Sequence, residues 1–274
     1  ETYTEDATID SLGKAITLRG ATDGAGTPLS ILDGGNPSGG TSGIRVLICQ
    51  SGETSATVFE NLVIRNGYAV GNFVGFNGGA GMYNGGSSPT VANCIFENNL
   101  AVYSGGGMFN QNGSAPTVVD CVFRNNQASN GGGMLNQFSS PTLEGCVFTG
   151  NYAFGGGGLS NFDSSPTVSN SNFCGNAVAS IGIEIASQID GDPIAGEEAG
   201  NCIAVDCDDC VDNVDNEDNC PADIDGDANI GFSDVLIVLN DWGCSGECSS
   251  DIDNNDTVDF SDILIILNDW GACP

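Results

Sequence analysis

Short apolar segments recur along the first two thirds of the chain. Aligned on proline, four units read SSPTVANCIFENN, SAPTVVDCVFRNN, SSPTLEGCVFTGN and SSPTVSNSNFCGN, and a glycine-rich segment precedes each. The prolines are Pro89, Pro116, Pro141 and Pro166, which are 27, 25 and 25 residues apart. Apolar positions alternate with polar ones and show no 3.6-residue period, so each unit predicts three short strands joined by turns.

Units of this kind stack in register as coils of a parallel β-helix, about 4.8 Å apart. Recurring apolar positions should then form columns inside the helix. The predicted columns are Val91, Val118, Leu143 and Val168; Cys94, Cys121 and Cys146; Phe96, Phe123, Phe148 and Phe173; and Met82, Met108, Met134 and Leu159. A polar column recurs at turns, where we expect left-handed backbone and amides hydrogen-bonded between coils. It consists of Asn99, Asn126, Asn151 and Asn176.

Looser alternation precedes these units. AITLRG, SILDGG, GIRVLICQSG and ATVFENLVIRNG, between residues 15 and 67, each read as half-buried strands before a glycine turn. We expect a mainly β fold with about seven coils over residues 1–200. By its TYTE, ITLRG, ILDGG and SSPTV phrases, the region resembles the right-handed β-helix repeat family of secreted bacterial proteins. That fold carries lyases, hydrolases, adhesins and passive scaffolds, so the resemblance implies a fold and not an activity.

The beginning of the chain departs from that family. TYTE follows earlier strands in the family, whereas here it stands at the start, so the first coil is expected to be incomplete. The backbone N–H and C=O groups of an unpaired strand edge can pair with a strand of another chain. The predicted assembly edge consists of Glu1, Thr2, Tyr3, Thr4 and Glu5.

The end of the chain repeats an acidic loop and an apolar helix. DIDGDANIGFSDVLIVLNDWG, from residue 223, recurs 28 residues later as DIDNNDTVDFSDILIILNDWG. Oxygen-bearing residues follow the spacing by which a 12-residue loop wraps a calcium ion. The predicted ligands are Asp223, Asp225, Asp227, Asn229 by its carbonyl and Asp234; and Asp251, Asp253, Asn255, Thr257 by its carbonyl, Asp259 and Asp262. The final ligand of both loops is Asp rather than Glu, which we expect to lower calcium affinity.

Neither apolar helix, of about ten residues, can bury its side chains alone, so we expect the two to pack about a pseudo-twofold axis relating Trp242 to Trp270. Calcium would stabilise this small core. Residues 221–274 resemble a type I dockerin, a duplicated loop-helix module that other proteins bind in cellulosome-like assemblies. The resemblance implies calcium as cofactor and a cohesin-like receptor.

The same twofold arrangement favours the disulfides Cys220–Cys273 and Cys244–Cys248. Four further cysteines surround the junction with three pairings open: Cys174, Cys202, Cys207 and Cys210. The run DCDDCVDNVDNEDNC, residues 206–220, either binds a third calcium ion or is an extended, self-repelling linker. Residues 201–220 are the predicted linker between the two domains.

Net charge and composition limit the classes of molecule that this protein is expected to bind. The formal net charge is −31, and residues 201–274 contain no Lys or Arg. This excludes nucleic acid and anionic membrane surfaces as partners. Twelve Cys without His favour an oxidising, extracellular compartment, and no apolar run reaches membrane-spanning length. A chain that begins at Glu1 without a signal peptide is expected to be a mature secreted form.

Five cationic residues are available for catalysis, and none lies in a motif with acids: Lys14, Arg19, Arg45, Arg65 and Arg124. Arg65 and Arg124 are expected on one outer face, in support of solubility and turns. We therefore predict no catalytic residue and a secreted structural or adhesive protein. Its tail binds either a cohesin-like surface receptor or further copies, head to tail, in a filament. The alternative is a dockerin-anchored protein that binds or cleaves polysaccharide, with an arginine as base.

Overall fold

The structure of the chain is a computed structural model. It describes residues 2–4, 8–36, 43–70, 78–180, 183–186, 188–191, 200–204, 207, 229–244, 250, 252, 257–268 and 271–272. The chain divides into two compact units, Glu1–Cys210 and Val211–Pro274. Within the described ranges, neither helix has the length and apolar content needed to cross a bilayer.

Three long parallel sheets dominate the described part of the first unit. The eight-stranded sheet contains β1 (Thr2–Thr4), β4 (Ser30–Asp33), β7 (Leu62–Arg65), β11 (Ile95–Glu97), β15 (Val122–Arg124), β18 (Val147–Thr149), β22 (Asn172–Cys174) and β26 (Cys202–Ala204). The seven-stranded sheet contains β2 (Ile9–Asp10), β5 (Leu47–Cys49), β9 (Met82–Gly85), β13 (Met108–Gln111), β16 (Met134–Gln137), β20 (Leu159–Phe162) and β25 (Ile189–Gly191). The six-stranded sheet contains β3 (Thr17–Arg19), β6 (Val58–Glu60), β10 (Thr90–Ala92), β14 (Thr117–Val119), β17 (Thr142–Glu144) and β21 (Thr167–Ser169).

Short strands lie at the turns between these sheets. β8 (Tyr68–Ala69) pairs with β12 (Leu100–Ala101), and β19 (Tyr152–Ala153) pairs with β23 (Ala177–Ser180). β23 also forms an antiparallel pair with β24 (Ile183–Ala186).

Neighbouring strands of each long sheet come from consecutive coils, as a parallel β-helix requires. The fold class is confirmed, and the described seven-stranded sheet agrees with the prediction of about seven coils. In the order of the later repeats, β3 begins a coil that continues through β4 and β5, and β1 and β2 belong to the coil before it. In the described part of the chain no strand of the six-stranded sheet precedes β1, so the incomplete first coil stays a prediction. β1 pairs with β4 and is the outer strand of its sheet in the described part, while Glu1 and Glu5 lie outside the described residues.

The four predicted apolar columns form the core of the first unit, and all their members have no exposed surface. The phenylalanine rings stack face to face, with centroids 4.7 Å apart for Phe96 and Phe123 and 4.6 Å apart for Phe123 and Phe148. One strand spacing separates the coils, so identical residues at identical positions touch along the whole column.

The predicted asparagine column is a buried amide ladder. Asn126 Nδ2 donates to Asn151 Oδ1 at 3.0 Å, and Asn151 Nδ2 donates to Asn176 Oδ1 at 2.8 Å. Left-handed backbone occurs one residue earlier than predicted, at Asn98 and Asn125. At these turns the residue with left-handed backbone comes directly before the asparagine whose side chain points into the core.

A second buried amide ladder was not predicted. Asn84, Asn110, Asn136 and Asn161 follow the inward methionine or leucine of each coil by two residues, and consecutive amides are 2.8–3.0 Å apart. The sequence shows this ladder as an Asn that recurs in GMYN, GMFN, GMLN and GLSN. Side chains two residues apart in a strand point to the same face, so this Asn points into the interior like the methionine or leucine before it.

The second unit contains two short helices, α1 (Phe232–Asn240) and α2 (Phe260–Asn268). They pack on each other through a small core that includes Val238, Val258 and Ile266. β27 (Asn229–Ile230) and β28 (Gly271–Ala272) form an antiparallel pair. Trp242 follows α1, and Trp270 lies outside the described residues.

Candidate functional site

The final acidic residues of the two predicted loops occupy equivalent buried positions. Asp234 and Asp262 are each the third residue of a helix, and neither has exposed surface. Asp234 Oδ2 accepts a hydrogen bond from the Gly231 amide at 2.7 Å. Asp262 accepts from the Ile252 amide at Oδ1 and from the Asp259 amide at Oδ2, both at 2.8 Å. The Asp262 carboxylate thereby ties the start of its loop to the end.

These carboxylates fit a cation site. Buried carboxylates that backbone amides hold in a fixed orientation are oxygen ligands of the kind that calcium takes, and residues 201–274 are strongly acidic. A divalent cation would balance part of that negative charge, and Asp234 and Asp262 would each close one coordination sphere. Asp259 Oδ1 accepts from the Ser261 hydroxyl at 2.6 Å and from the Ser261 amide at 2.7 Å, which lowers the pKa of Asp259.

The remaining predicted ligands are only partly placed. Asn229 lies in β27 and Thr257 is exposed just before α2. Outside the described residues lie Asp223, Asp225, Asp227, Asp251, Asp253 and Asn255. The described residues by themselves contain no group of three acidic or cysteine side chains suited to a metal.

Each helix of the second unit leaves an apolar stripe exposed. On α1 the stripe consists of Phe232, Leu236 and Leu239, and on α2 it consists of Phe260, Leu264 and Leu267. Their exposures run from 48% to 67%, and the spacing of four and three residues places each set on one helix face. The expectation that mutual packing hides the apolar residues is wrong for this face. Both helices are apolar nearly all round, and a two-helix contact covers only one side.

The outer surface of the first unit carries ion pairs between residues far apart in the sequence, which no sequence motif shows. Arg65 Nε is 2.9 Å from Asp33 Oδ2, and Arg19 pairs with Glu60. Each acid is opposite its arginine in the neighbouring strand, a relation that a sequence separation of 32 or 41 residues conceals.

Arg65 and Arg124 lie on one outer face, as predicted. A column across the eight-stranded sheet contains Asp33, Arg65, Glu97 and Arg124 in register. Burial favours a higher pKa for Asp33, but hydrogen bonds from Gly35, Asn66 and Arg65 outweigh it and lower that pKa. The alternating charges stabilise the stacking of coils, which is a structural role for both arginines.

Arg45 contacts an aromatic ring and backbone carbonyl oxygens, unlike Arg19, Arg65 and Arg124, which pair with acids. Its guanidinium carbon lies 5.0 Å from the centre of the Tyr83 ring, and Nη2 donates to the Gly78 carbonyl at 2.8 Å. Nε donates to the Gly79 carbonyl at 3.2 Å, and burial lowers the pKa of Arg45. These contacts fix a glycine turn over an aromatic ring.

The cysteines divide into two groups. Free, buried thiols are found at Cys49, Cys94, Cys121 and Cys146. Burial raises the pKa of Cys49 and of Cys146 to about 12, so neither is a reactive thiolate at neutral pH. The column of thiols is a core feature, as predicted.

Disulfide-bonded cysteines occur in both units. Of the three pairings left open, the structure contains the one that joins Cys174 to Cys207. Cys202 and Cys244 are also disulfide-bonded. Outside the described residues lie Cys210, Cys220, Cys248 and Cys273.

Parallel sheets closed by stacked apolar and amide columns define a β-helical repeat protein. Residues 30–188 match the family described as "Right handed beta helix region". The match covers more than half of the chain, which therefore belongs to this family. Comparison with curated proteins and with solved structures gives no match.

Proposed function

We propose that this chain is an extracellular structural or adhesive protein in which a β-helical scaffold carries a calcium-stabilised interaction module. The scaffold comprises the first unit, Glu1–Cys210, whose strand β26 falls within the predicted linker, residues 201–220, and the dockerin-like module comprises residues 221–274. The observation that carries the proposal is the duplication of one arrangement, a buried loop-closing carboxylate and an exposed apolar stripe, in α1 and α2. The Cys174–Cys207 disulfide supports an oxidising, extracellular setting.

Calcium binding in the loops would stabilise the helices that carry the exposed apolar stripes. The carboxylate that would close each coordination sphere is the third residue of the helix that displays the stripe, so ion binding would order that helix. At a calcium concentration of a hundred times Kd, each site would stabilise the module by about 2.7 kcal/mol. The core formed by Val238, Val258 and Ile266 is small enough to need this contribution.

The stripes suit a protein receptor. Each presents three large apolar side chains, 48–67% exposed, within residues 201–274, which contain 19 acidic residues and no Lys or Arg. Such a surface complements an apolar groove with a basic rim, which is the partner chemistry proposed for a cohesin-like receptor.

Assembly into a filament is the second candidate. β1, β2 and β3 are outer strands at one end of the described sheets, and β21, β25 and β26 are outer strands at the other. Ile203 continues the inward phenylalanine column after Phe173 and is 43% exposed. Another copy that added its first coil there would continue the parallel sheets, and such head-to-tail contacts do not close.

Calcium titration by calorimetry of the intact chain tests the proposal. We expect two ions per chain, one lost in Asp234→Asn and one in Asp262→Asn. Asp163→Asn, an exposed acid in the first unit, is the matched control and retains both. Absence of calcium uptake by the intact chain would refute the module.

Electron microscopy separates the two forms of assembly. Fibres that persist on chelation support the stacking of coils between copies, and fibres that dissolve on chelation support assembly through the calcium module instead. Monodisperse particles with and without calcium remove the filament. The polysaccharide-cleaving alternative is tested by product release from a polysaccharide panel. Release that is abolished by Arg65→Ala or Arg124→Ala would replace the structural proposal with an enzymatic one.

A further inference from the structure

Phe138 occupies a backbone conformation that disfavours it. It follows β16 with φ of 51°, in the left-handed region, and its side chain is 52% exposed. Its counterparts, one residue after the matching strand positions in neighbouring coils, are Gly86, Asn112 and Asp163. These residue types tolerate left-handed backbone, whereas a bulky residue there is strained. The fold thus holds an aromatic ring on its surface where a small polar residue would fit better, which points to a function for the ring.

A second ring completes the surface. Phe162, in the next coil, is 55% exposed, and its ring packs edge-to-face on Phe138 with centroids 5.7 Å apart and planes at 85°. The Phe138 amide donates to the Phe162 carbonyl at 3.0 Å, and the Gly113 amide donates to the Phe138 carbonyl at 2.8 Å. Coil-to-coil hydrogen bonds thus fix the backbone of both residues, and the edge-to-face contact holds the two rings against each other.

Amide side chains continue the same column. Phe162 is in register with Gln137, which is in register with Gln111. Gln111 Nε2 donates to Gln137 Oε1 at 2.8 Å, and the Tyr83 hydroxyl donates to Gln111 Oε1 at 3.3 Å. Two amides and an aromatic ring thus lie at successive coils along one outer line of the β-helix, and the Tyr83 hydroxyl, which belongs to a buried side chain, holds the first amide in place.

We propose that this line binds a neutral polysaccharide chain running along the β-helix axis. The apolar faces of sugar rings stack on exposed aromatic rings, and sugar hydroxyls exchange hydrogen bonds with amides. The coil spacing of about 4.8 Å is close to the advance of a glycan chain per sugar, so successive sugars meet successive coils. The net charge of −31 disfavours anionic glycans.

The size of the patch favours a glycan over a protein. A stable protein complex buries about 20–30 residues on each side, many more than the two rings and two amides of this line. The site belongs to the first unit and requires no calcium, so its failure leaves the calcium-module proposal untouched.

Native affinity electrophoresis of the intact chain tests the site. Gels contain hydroxyethyl cellulose, xyloglucan, arabinoxylan or galactomannan, with calcium or with chelator. We expect retardation by at least one of these polymers in both conditions. Phe138→Asn and Phe162→Ala should weaken the association about tenfold or more.

Two controls keep the test decisive. Phe154→Ala removes a ring that is 67% exposed in a different turn, between β19 and β20, and should leave retardation unchanged. Phe138→Asn should melt at the same or a higher temperature, because Asn tolerates the left-handed backbone, so weaker binding cannot come from unfolding.

Three results would overturn the proposal. The first is no retardation by any of the four polymers, and the second is equal retardation of the Phe138→Asn variant. The third is a mass in sedimentation that rises with concentration and falls to the monomer in Phe138→Asn, which would make the patch a contact between copies.

Discussion

Arg124 and Glu97 pair across one coil step, with Nη2 2.6 Å from Oε2 in directly opposed strand positions. The Arg124 side chain is 46% exposed, so solvent screens the pair. We predict that Arg124→Gln lowers the free energy of unfolding by about 1 kcal/mol or less, measured by urea denaturation.

Arg45→Gln is the comparison for that measurement. Its guanidinium is packed over Tyr83 and bonded to carbonyl oxygens, so the loss should be larger, about 2–3 kcal/mol. An equal or greater loss in Arg124→Gln would contradict the assignment of Arg124 to a screened surface pair.

Phe148→Ala should destabilise the first unit strongly. Its buried ring stacks between Phe123 and Phe173, with centroids 4.6 Å from each, and truncation leaves a cavity inside the column. The expected loss is about 3–5 kcal/mol, measured by thermal and urea unfolding. Phe154→Ala, at an exposed turn, should change stability by about 0.5 kcal/mol or less. Similar losses in the two variants would refute the stacked core.

Glu53 makes stability depend on pH. Burial favours a raised pKa, but hydrogen bonds from Ser11, Gly13, Ser51 and Ser87, at 2.7–2.8 Å, lower the pKa of Glu53 from its ordinary 4.5 to about 2. A pKa lowered by folding stabilises above the unfolded value, so this contribution is complete above about pH 4.5 and is lost as pH falls towards 2.

Glu53→Gln measures that contribution. The variant should be less stable at neutral pH by roughly 3 kcal/mol, at about 1.4 kcal/mol per pKa unit. The difference from the natural chain should shrink between pH 4.5 and 2. A difference that stays constant with pH would show that the carboxylate charge is not involved.

The four buried thiols should resist modification. With the pKa of Cys49 and Cys146 raised to about 12, we expect no reaction of these thiols with an aromatic disulfide reagent at about pH 8 in the native state. Unfolding in guanidinium should expose Cys49, Cys94, Cys121 and Cys146 together. Reaction of any of them before unfolding would indicate that the core columns open locally.

The stacked columns were predictable because β-helix coils repeat in sequence what they repeat in space. Phe96 and Phe123 are 27 residues apart, and one coil brings their rings to 4.7 Å. The partner of Arg65 was not predictable in the same way. Asp33 lies in a looser early coil without the proline phrase, so alignment of the repeats could not place it opposite Arg65.

The sequence by itself determined the β-helical class, the inward columns and the duplicated loop-helix tail, because each depends on a local period that repeats. Only the tertiary structure decided which apolar residues of α1 and α2 stay exposed, which acids neutralise which arginines, and where Phe138 meets Phe162. The physical reason is that coil stacking and helix packing join residues whose separation no local pattern encodes, and that burial depends on what covers a side chain as well as on its own chemistry.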